Sequence, residues 1–217
     1  MGITLYKNAD WILTMNEKRE KFRHGDLLIS GKEILDVGND LEKKYAGKLQ
    51  IDKIINAKGT VILPGFVNVH HHTWQSLIRN IQATRGLKLE PWLTVMYEIY
   101  KDLNTDVARA GVYSGLGDML KTGCTTSNDL WYPHPIGVKY LVDAEIEAAA
   151  EIGIRFHPTR GFHSVPSDIV PPEVVDTKES VTEDTIRLVK KYHDRSRFSM
   201  CQVGIAPSIA QYETEDI

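Results

Sequence analysis

Cysteine is scarce. The two in 217 residues, Cys124 and Cys201, are too few for a disulfide framework, and neither has a partner Cys or His at zinc-ribbon spacing. Both are expected to be reduced, buried and apolar in role. Long apolar runs are missing as well: the stretch from Val61 to Val67 falls far short of the roughly 20 residues of a membrane span and is broken by Pro64-Gly65. No membrane association is expected. The amino terminus, Met1 to Tyr6, has neither the basic flank nor the apolar stretch of a signal peptide, and Tyr6 stands where a myristoylation signal needs Ser or Thr. A cytoplasmic location is the expectation. Basic charge is not in excess either, with 26 Lys and Arg against 29 Asp and Glu and a net charge of −3. The scattered cations form no stripe, which excludes the electrostatic footprint of a nucleic-acid binder. What the chain does have is 42% hydrophobic and 25% charged residues, a globular composition with enough apolar material for one large core or two small ones.

The order of patterns divides the chain into residues 1–60 and 61–217. The first part reads as short strands and turns: Ile3 to Tyr6, Trp11 to Thr14, Asp26 to Ser30, a hairpin turn at Gly31-Lys32, and Glu33 to Val37. This is expected to be part of a small β-sandwich domain. After the Asn56 to Gly59 turn the pattern changes to strand, loop and amphipathic helix, and repeats. Val61 to His70 predicts a buried strand. Asn104 caps a helix with Val112, Leu116, Met119 and Leu120 at helical spacing, stopped by Gly123. Cys124 to Asn128 is the next strand, followed by a helix that places Val142, Ile146, Ala149 and Ala150 on one face and stops at Gly153. Ile154 to Pro158 is a third strand, Ser180-x-x-Glu183 a capping box for a helix to His193, and Met200 to Ile205 a fourth strand. Alternating strands and helices mean parallel βα units. At roughly 31 residues per unit of a (β/α)8 barrel, the second part accommodates about five of the eight, the fifth opening as a helix over Glu213 to Ile217.

Three of the eight histidines are consecutive, His70-His71-His72. If the strand runs through them, its period of two puts His70 and His72 on one face and His71 on the other. At the carboxyl end of a barrel strand such a pair points into the mouth where barrel enzymes place their sites, and neutral imidazole is a common ligand of Zn²⁺ and Fe²⁺. Taken alone, a His-x-His pair reads more readily as a polar loop or a partly exposed turn.

The flanking residues are more specific. Pro64-Gly-Phe-Val-Asn-x-His-x-His72, preceded by about 60 residues of β structure, resembles the opening of the barrel in the amidohydrolase superfamily. His70 to Arg79, Glu90-Pro-Trp-Leu93, Gly123-Cys-Thr-Thr126 and Gly153 to Gly161 are similar to its deaminase and chlorohydrolase branch, nearest the 8-oxoguanine deaminases and hydroxyatrazine-type aminohydrolases. The resemblance implies the N-terminal portion of a (β/α)8 metal-dependent hydrolase barrel. It implies one Zn²⁺ (or Fe²⁺) per complete site, with His70 and His72 as two ligands and a third His and an Asp from later strands. The implied chemistry is attack of metal-activated water on a purine-, pterin- or triazine-like ring, with loss of ammonia. The later ligands and the acid/base residues are expected beyond Ile217.

For substrate contacts the resemblance and the spacing single out Gln75, Asp129 and Arg160. An amide at Gln75 can donate to and accept from a heterocycle edge, Asp129 ends the second strand, and Arg160 follows the third; a solvent-facing amide and an ion-paired arginine are the plainer alternatives. Trp74 and Trp92 either stack on a planar ring or pack helix against barrel. His157 is expected to pack in its strand, and His163 lies in the loop after it. The partner is expected to be a small heterocyclic substrate, and the protein a homo-oligomer. The competing reading is a non-catalytic half-barrel serving as a structural or oligomerising module, since half a barrel leaves two unpaired strand edges.

Overall fold

The computed structural model describes residues 2–209 and Glu213, and the chain forms two compact units, Met1–Gly65 and Phe66–Ile217. In the first, β1 (Ile3–Leu13) pairs antiparallel with β2 (Lys21–Ser30), which turns through Gly31 (φ +56°) into β3 (Glu33–Gly38). A short helix α1 (Leu41–Tyr45) leads to β4 (Lys53–Asn56) and β5 (Val61–Ile62), both parallel to β1. The two strands expected over residues 3–6 and 11–14 are one strand carrying a bulge, because Asn8 takes a left-handed conformation (φ +61°) where the register shifts between Tyr6 and Ala9. Asp26 holds that bulge. Its carboxylate accepts the Asn8 N–H at 2.9 Å and the Leu41 N–H at 3.0 Å. Leu5, Leu28 and Leu41 form one small core, and Ala9, Ile12 and Ala57 another.

The second unit is a parallel sheet in the order β6 (Phe66–Asn68), β7 (Cys124–Trp131), β8 (Arg155–Phe162), β9 (Gly204–Pro207). Between β6 and β7 run a 3-10 turn at Thr73–Leu77, α2 (Leu89–Tyr100) and α3 (Thr105–Lys121); α4 (Leu141–Ile152) and α5 (Lys178–Tyr192) follow β7 and β8. Asn104 caps α3 by accepting the Asp106 and Val107 N–H groups, each at 3.0 Å. Helices and sheet enclose one core that includes Trp74, Tyr100, Leu116, Trp131, Phe156 and Leu188.

Several expectations are corrected. The single strand over Val61 to His70 is split by Leu63-Pro64-Gly65 into β5 and β6, which belong to different sheets, and Phe66 and Val67 are 57% and 63% exposed rather than buried. The cap of α5 is Thr177, whose hydroxyl accepts the Ser180 N–H at 3.1 Å while Ser180 returns the bond to the Thr177 N–H; the box therefore starts three residues earlier than expected. Ala150 is exposed, and β9 begins at Gly204, with Cys201 joined to Phe156 by an isolated bridge. Helix α2 was not anticipated: Pro91 in its first turn, where no donor is needed, reads in sequence as a breaker. Cys124 is buried and Cys201 half-buried, both as free thiols. The helix start expected over Glu213 to Ile217 lies outside the described residues except for Glu213 itself. Among the described residues no helix is long and apolar enough to cross a membrane.

Candidate metal centre

Beyond β6 the chain stays extended to His72 (φ −136°, ψ 92°) before entering the 3-10 turn. The rings of His70 and His72 lie with centroids 5.1 Å apart and planes at 79°, on one side of the backbone as a period of two requires. His71 points the other way, its Nδ1 3.8 Å from Asp129 Oδ1. A cavity of about 470 Å³ opens beside the run, lined by all three histidines and, among others, by Gln75, Arg79, Trp92 and Met96.

The end of β7 is stitched to this run. Leu130 N–H donates to the His71 carbonyl at 3.1 Å, His72 Nδ1 donates to the Leu130 carbonyl at 2.9 Å, and Thr73 N–H donates to Asp129 Oδ1 at 2.6 Å. With Nδ1–H committed to a carbonyl, His72 Nε2 carries the free lone pair that a cation would take. Burial lowers the pKa of His72 below its ordinary value, so the ring is neutral at neutral pH. Two imidazoles on one face fit part of a Zn²⁺ or Fe²⁺ shell. Among the described residues no group of three or more His, Cys, Asp or Glu side chains is placed to hold a metal ion, so the pair supplies a partial donor set.

Helix α3 makes room for the turn. A Cβ at Gly111 would stand 2.9 Å from the Thr73 carbonyl oxygen and 3.0 Å from Trp74 Cα; one at Gly115 would stand 2.6 Å from Ser76 Oγ and 3.2 Å from His71 Cε1. The Gly111-x-x-x-Gly115 spacing, one helical turn, is thus the groove in which residues 71–76 lie.

Gln75 borders the cavity, and its Nε2 donates to the Tyr100 hydroxyl at 2.9 Å, which leaves the amide oxygen open. Asp129 is fully buried on the side of β7 that faces the helices, as are Ser127 and Trp131, while the intervening Asn128 reaches Thr159 Oγ1 on the other side at 2.9 Å. Arg160, 3% exposed, spends its guanidinium on Asp176 at 2.8 Å and Asp184 at 3.0 Å. Neither Asp129 nor Arg160 lines the cavity beside the histidines. In both, strand alternation turns the side chain toward the helix layer, in place of the substrate-facing position expected. His157, expected to pack, is exposed. His163 is fully buried, with Nε2 in a 2.6 Å hydrogen bond with the Tyr97 hydroxyl; burial pushes its pKa down to about 4. Trp74 is sealed in the core between Trp131 and Tyr132, and Trp92 borders the cavity. Sequence reasoning missed Thr73, Gly111, Gly115 and Glu145. The glycine spacing was the one visible signal among them.

Beyond the motifs, the sequence profile of the amidohydrolase family matches residues 61–216. The chain belongs to this family. Among curated amidohydrolase relatives, the hydroxydechloroatrazine ethylaminohydrolase of Pseudomonas sp. (strain ADP) is 29% identical over 218 residues, covering 96% of this chain and 45% of that protein. The 8-oxoguanine deaminase of Pseudomonas aeruginosa is 32% identical over 155 residues, covering 70% and 34%. The chain therefore spans less than half the length of these relatives. The crystal structure of atrazine chlorohydrolase from Arthrobacter aurescens TC1 complexed with zinc superposes with a TM-score of 0.88 at 24% identity, over 98% of this chain and 48% of that one. That likeness establishes the fold: sheet β6 to β9 with its helices is the first part of a (β/α)8 barrel, preceded by a β-rich unit.

Proposed function

We propose that these residues form the first half of the active site of an amidohydrolase that removes an amino group by hydrolysis from an aromatic N-heterocycle of the purine, pterin or triazine type. The observation that carries the reading is the His70 and His72 pair, 5.1 Å between ring centroids, with the second ring locked through Nδ1 to the Leu130 carbonyl. His70 and His72 are the residues that would hold Zn²⁺, with Fe²⁺ as the alternative. Bound there, the ion would supply the Lewis acidity that makes a water nucleophilic near neutral pH. Burial keeps His72 neutral and so able to ligate. Gln75, its Nε2 anchored by Tyr100, presents an amide oxygen to a ring N–H or exocyclic amine. Trp92 offers an aromatic wall on the same cavity. The third imidazole, the aspartate and the acid/base glutamate that complete the chemistry are not supplied by the described residues. The names of the relatives, which include an 8-oxoguanine deaminase and a hydroxydechloroatrazine aminohydrolase, support the substrate class.

The test is ammonia release by the full-length, Zn²⁺-supplemented protein from a panel of oxopurines, pterins and hydroxytriazines. At least one substrate is expected to turn over, with activity abolished by chelation and by His72→Ala. Turnover that survives chelation would overturn the reading, as would a folded, metal-loaded protein that releases ammonia from none of them. The second outcome is the one a non-catalytic module predicts.

A further inference from the structure

Beside the histidine run, and outside the lining of the cavity, two carboxyl groups are buried together. Asp129 and Glu145 are each 0% exposed, and among the described residues neither is ion-paired to a lysine or arginine. Asp129 Oδ1 takes the Thr73 N–H, and Glu145 Oε1 takes the Thr73 hydroxyl. The other oxygen of each, Asp129 Oδ2 and Glu145 Oε2, is buried without a hydrogen-bond partner, as is His71 Nδ1, which faces Asp129 Oδ1 from 3.8 Å, beyond hydrogen-bond distance. Two ionised carboxylates enclosed this way would repel at low dielectric and leave both oxygens desolvated. A single proton between them removes both defects, since a carboxylic acid donates one O–H and a carboxylate accepts it. Burial, and next the charge on Asp129, hold the Glu145 carboxyl well above the usual carboxylate range, which makes Glu145 the proton's owner.

We propose that Glu145, as an uncharged carboxylic acid hydrogen-bonded to Asp129, is a positioning residue for the histidine pair. It stands on α4 and touches neither imidazole. It grips the two ends of the stitch between β6 and β7: Thr73, immediately after His72, and Asp129, immediately before Leu130, whose carbonyl orients the His72 ring. The assignment deepens the amidohydrolase reading and rests on it for the meaning of His72 orientation. It comes from the unpartnered oxygens and the Thr73 bridge.

The test uses Glu145→Gln, Glu145→Ala and Thr73→Val in the metal-free protein, reading the ring nitrogen shifts of His72 by NMR at neutral pH alongside the thermal midpoint. A carboxamide can donate to Asp129 and accept from Thr73 as the protonated acid does. Glu145→Gln is therefore expected to keep the midpoint within about 2 °C of wild type and the Nδ1–H tautomer signature of His72. Glu145→Ala and Thr73→Val are expected to average the two tautomers and to weaken Zn²⁺ binding at least tenfold. If Glu145→Ala does not fold, Thr73→Val, which severs the link while leaving both carboxyls in place, carries the readout. The proposal is overturned if Glu145→Gln is as disruptive as Glu145→Ala, or if a folded Glu145→Ala or Thr73→Val keeps the wild-type tautomer signature. Failure of the metal reading looks different: wild type would bind no Zn²⁺ while the tautomer pattern across the variants still held.

Discussion

The two units bury polar groups in opposite ways. Among the described residues of the first, Asp26 is the one buried charged or polar side chain, and it satisfies backbone donors at a bulge and a helix start. The second buries Thr73, Asp129, Asp143, Glu145, Arg160 and His163, among others. Two groupings stand out: Thr73, Asp129 and Glu145 beside the histidine run, and Arg160 and Asp143 in ion pairs with Asp184 and Arg187 of α5. Burying polar groups is tolerated only where each finds a partner. Where the partners lead back to His70 and His72, the pair proposed to ligate a metal, the expense is one that holds that pair in shape. The β-rich unit needs none of this and relies on small apolar clusters.

This contrast can be broken by mutation. The largest effect is expected at Gly111, where a side chain meets the backbone of the turn after the histidines. Gly111→Val should cost about 3 kcal/mol or more by overpacking, read from the urea midpoint, and should weaken Zn²⁺ binding in parallel. Next comes His163. Its pKa of about 4 in the folded protein lies below the unfolded value of about 6.5, so the unfolded chain binds the proton first on acidification. Stability from this group is therefore complete above pH 6.5 and is lost as the pH falls toward 4, by about 3 kcal/mol. Urea midpoints of wild type and His163→Phe across that range should converge at the acid end. A constant difference would show that His163 titrates alike in both states.

Asp26→Ala, which strips the acceptor from the buried Leu41 N–H and the part-buried Asn8 N–H, is expected to cost about 2 kcal/mol and to leave Zn²⁺ affinity unchanged. A parallel loss of affinity would erase the distinction between the units. The smallest effect sharpens the point about α3. Gly117 has nothing within 4 Å of where a Cβ would sit, so Gly117→Ala should stabilise the chain by about 0.5–1 kcal/mol through helix propensity, opposite in sign to Gly111→Val earlier on the same helix.

The barrel was legible because its signals are local: Asn104 before α3, Gly123 and Gly153 after helices, and apolar periodicity between them. His70 and His72 were legible through strand alternation. What stayed hidden depends on contacts distant in sequence. Thr73 and Glu145 are 72 residues apart, and nothing local marks a helix glutamate as buried. Asp129 and Arg160 were picked out by residue type and strand position, yet which way each turns was fixed by partners on other elements, Thr73 for one and Asp176 with Asp184 for the other. The merging of two expected strands into β1 was hidden for a related reason, since a bulge at Asn8 reads in sequence as a turn.

The most direct measurement is a Zn²⁺ titration by calorimetry of the full-length protein, comparing wild type with His71→Ala and with the His70→Ala, His72→Ala double variant. The geometry predicts that His71→Ala, whose ring faces Asp129, binds the ion within a few-fold of wild type, and that the double variant loses binding by at least a hundredfold. Equal affinity in the double variant and wild type would contradict a cation shared by His70 and His72, and with it the proposed chemistry.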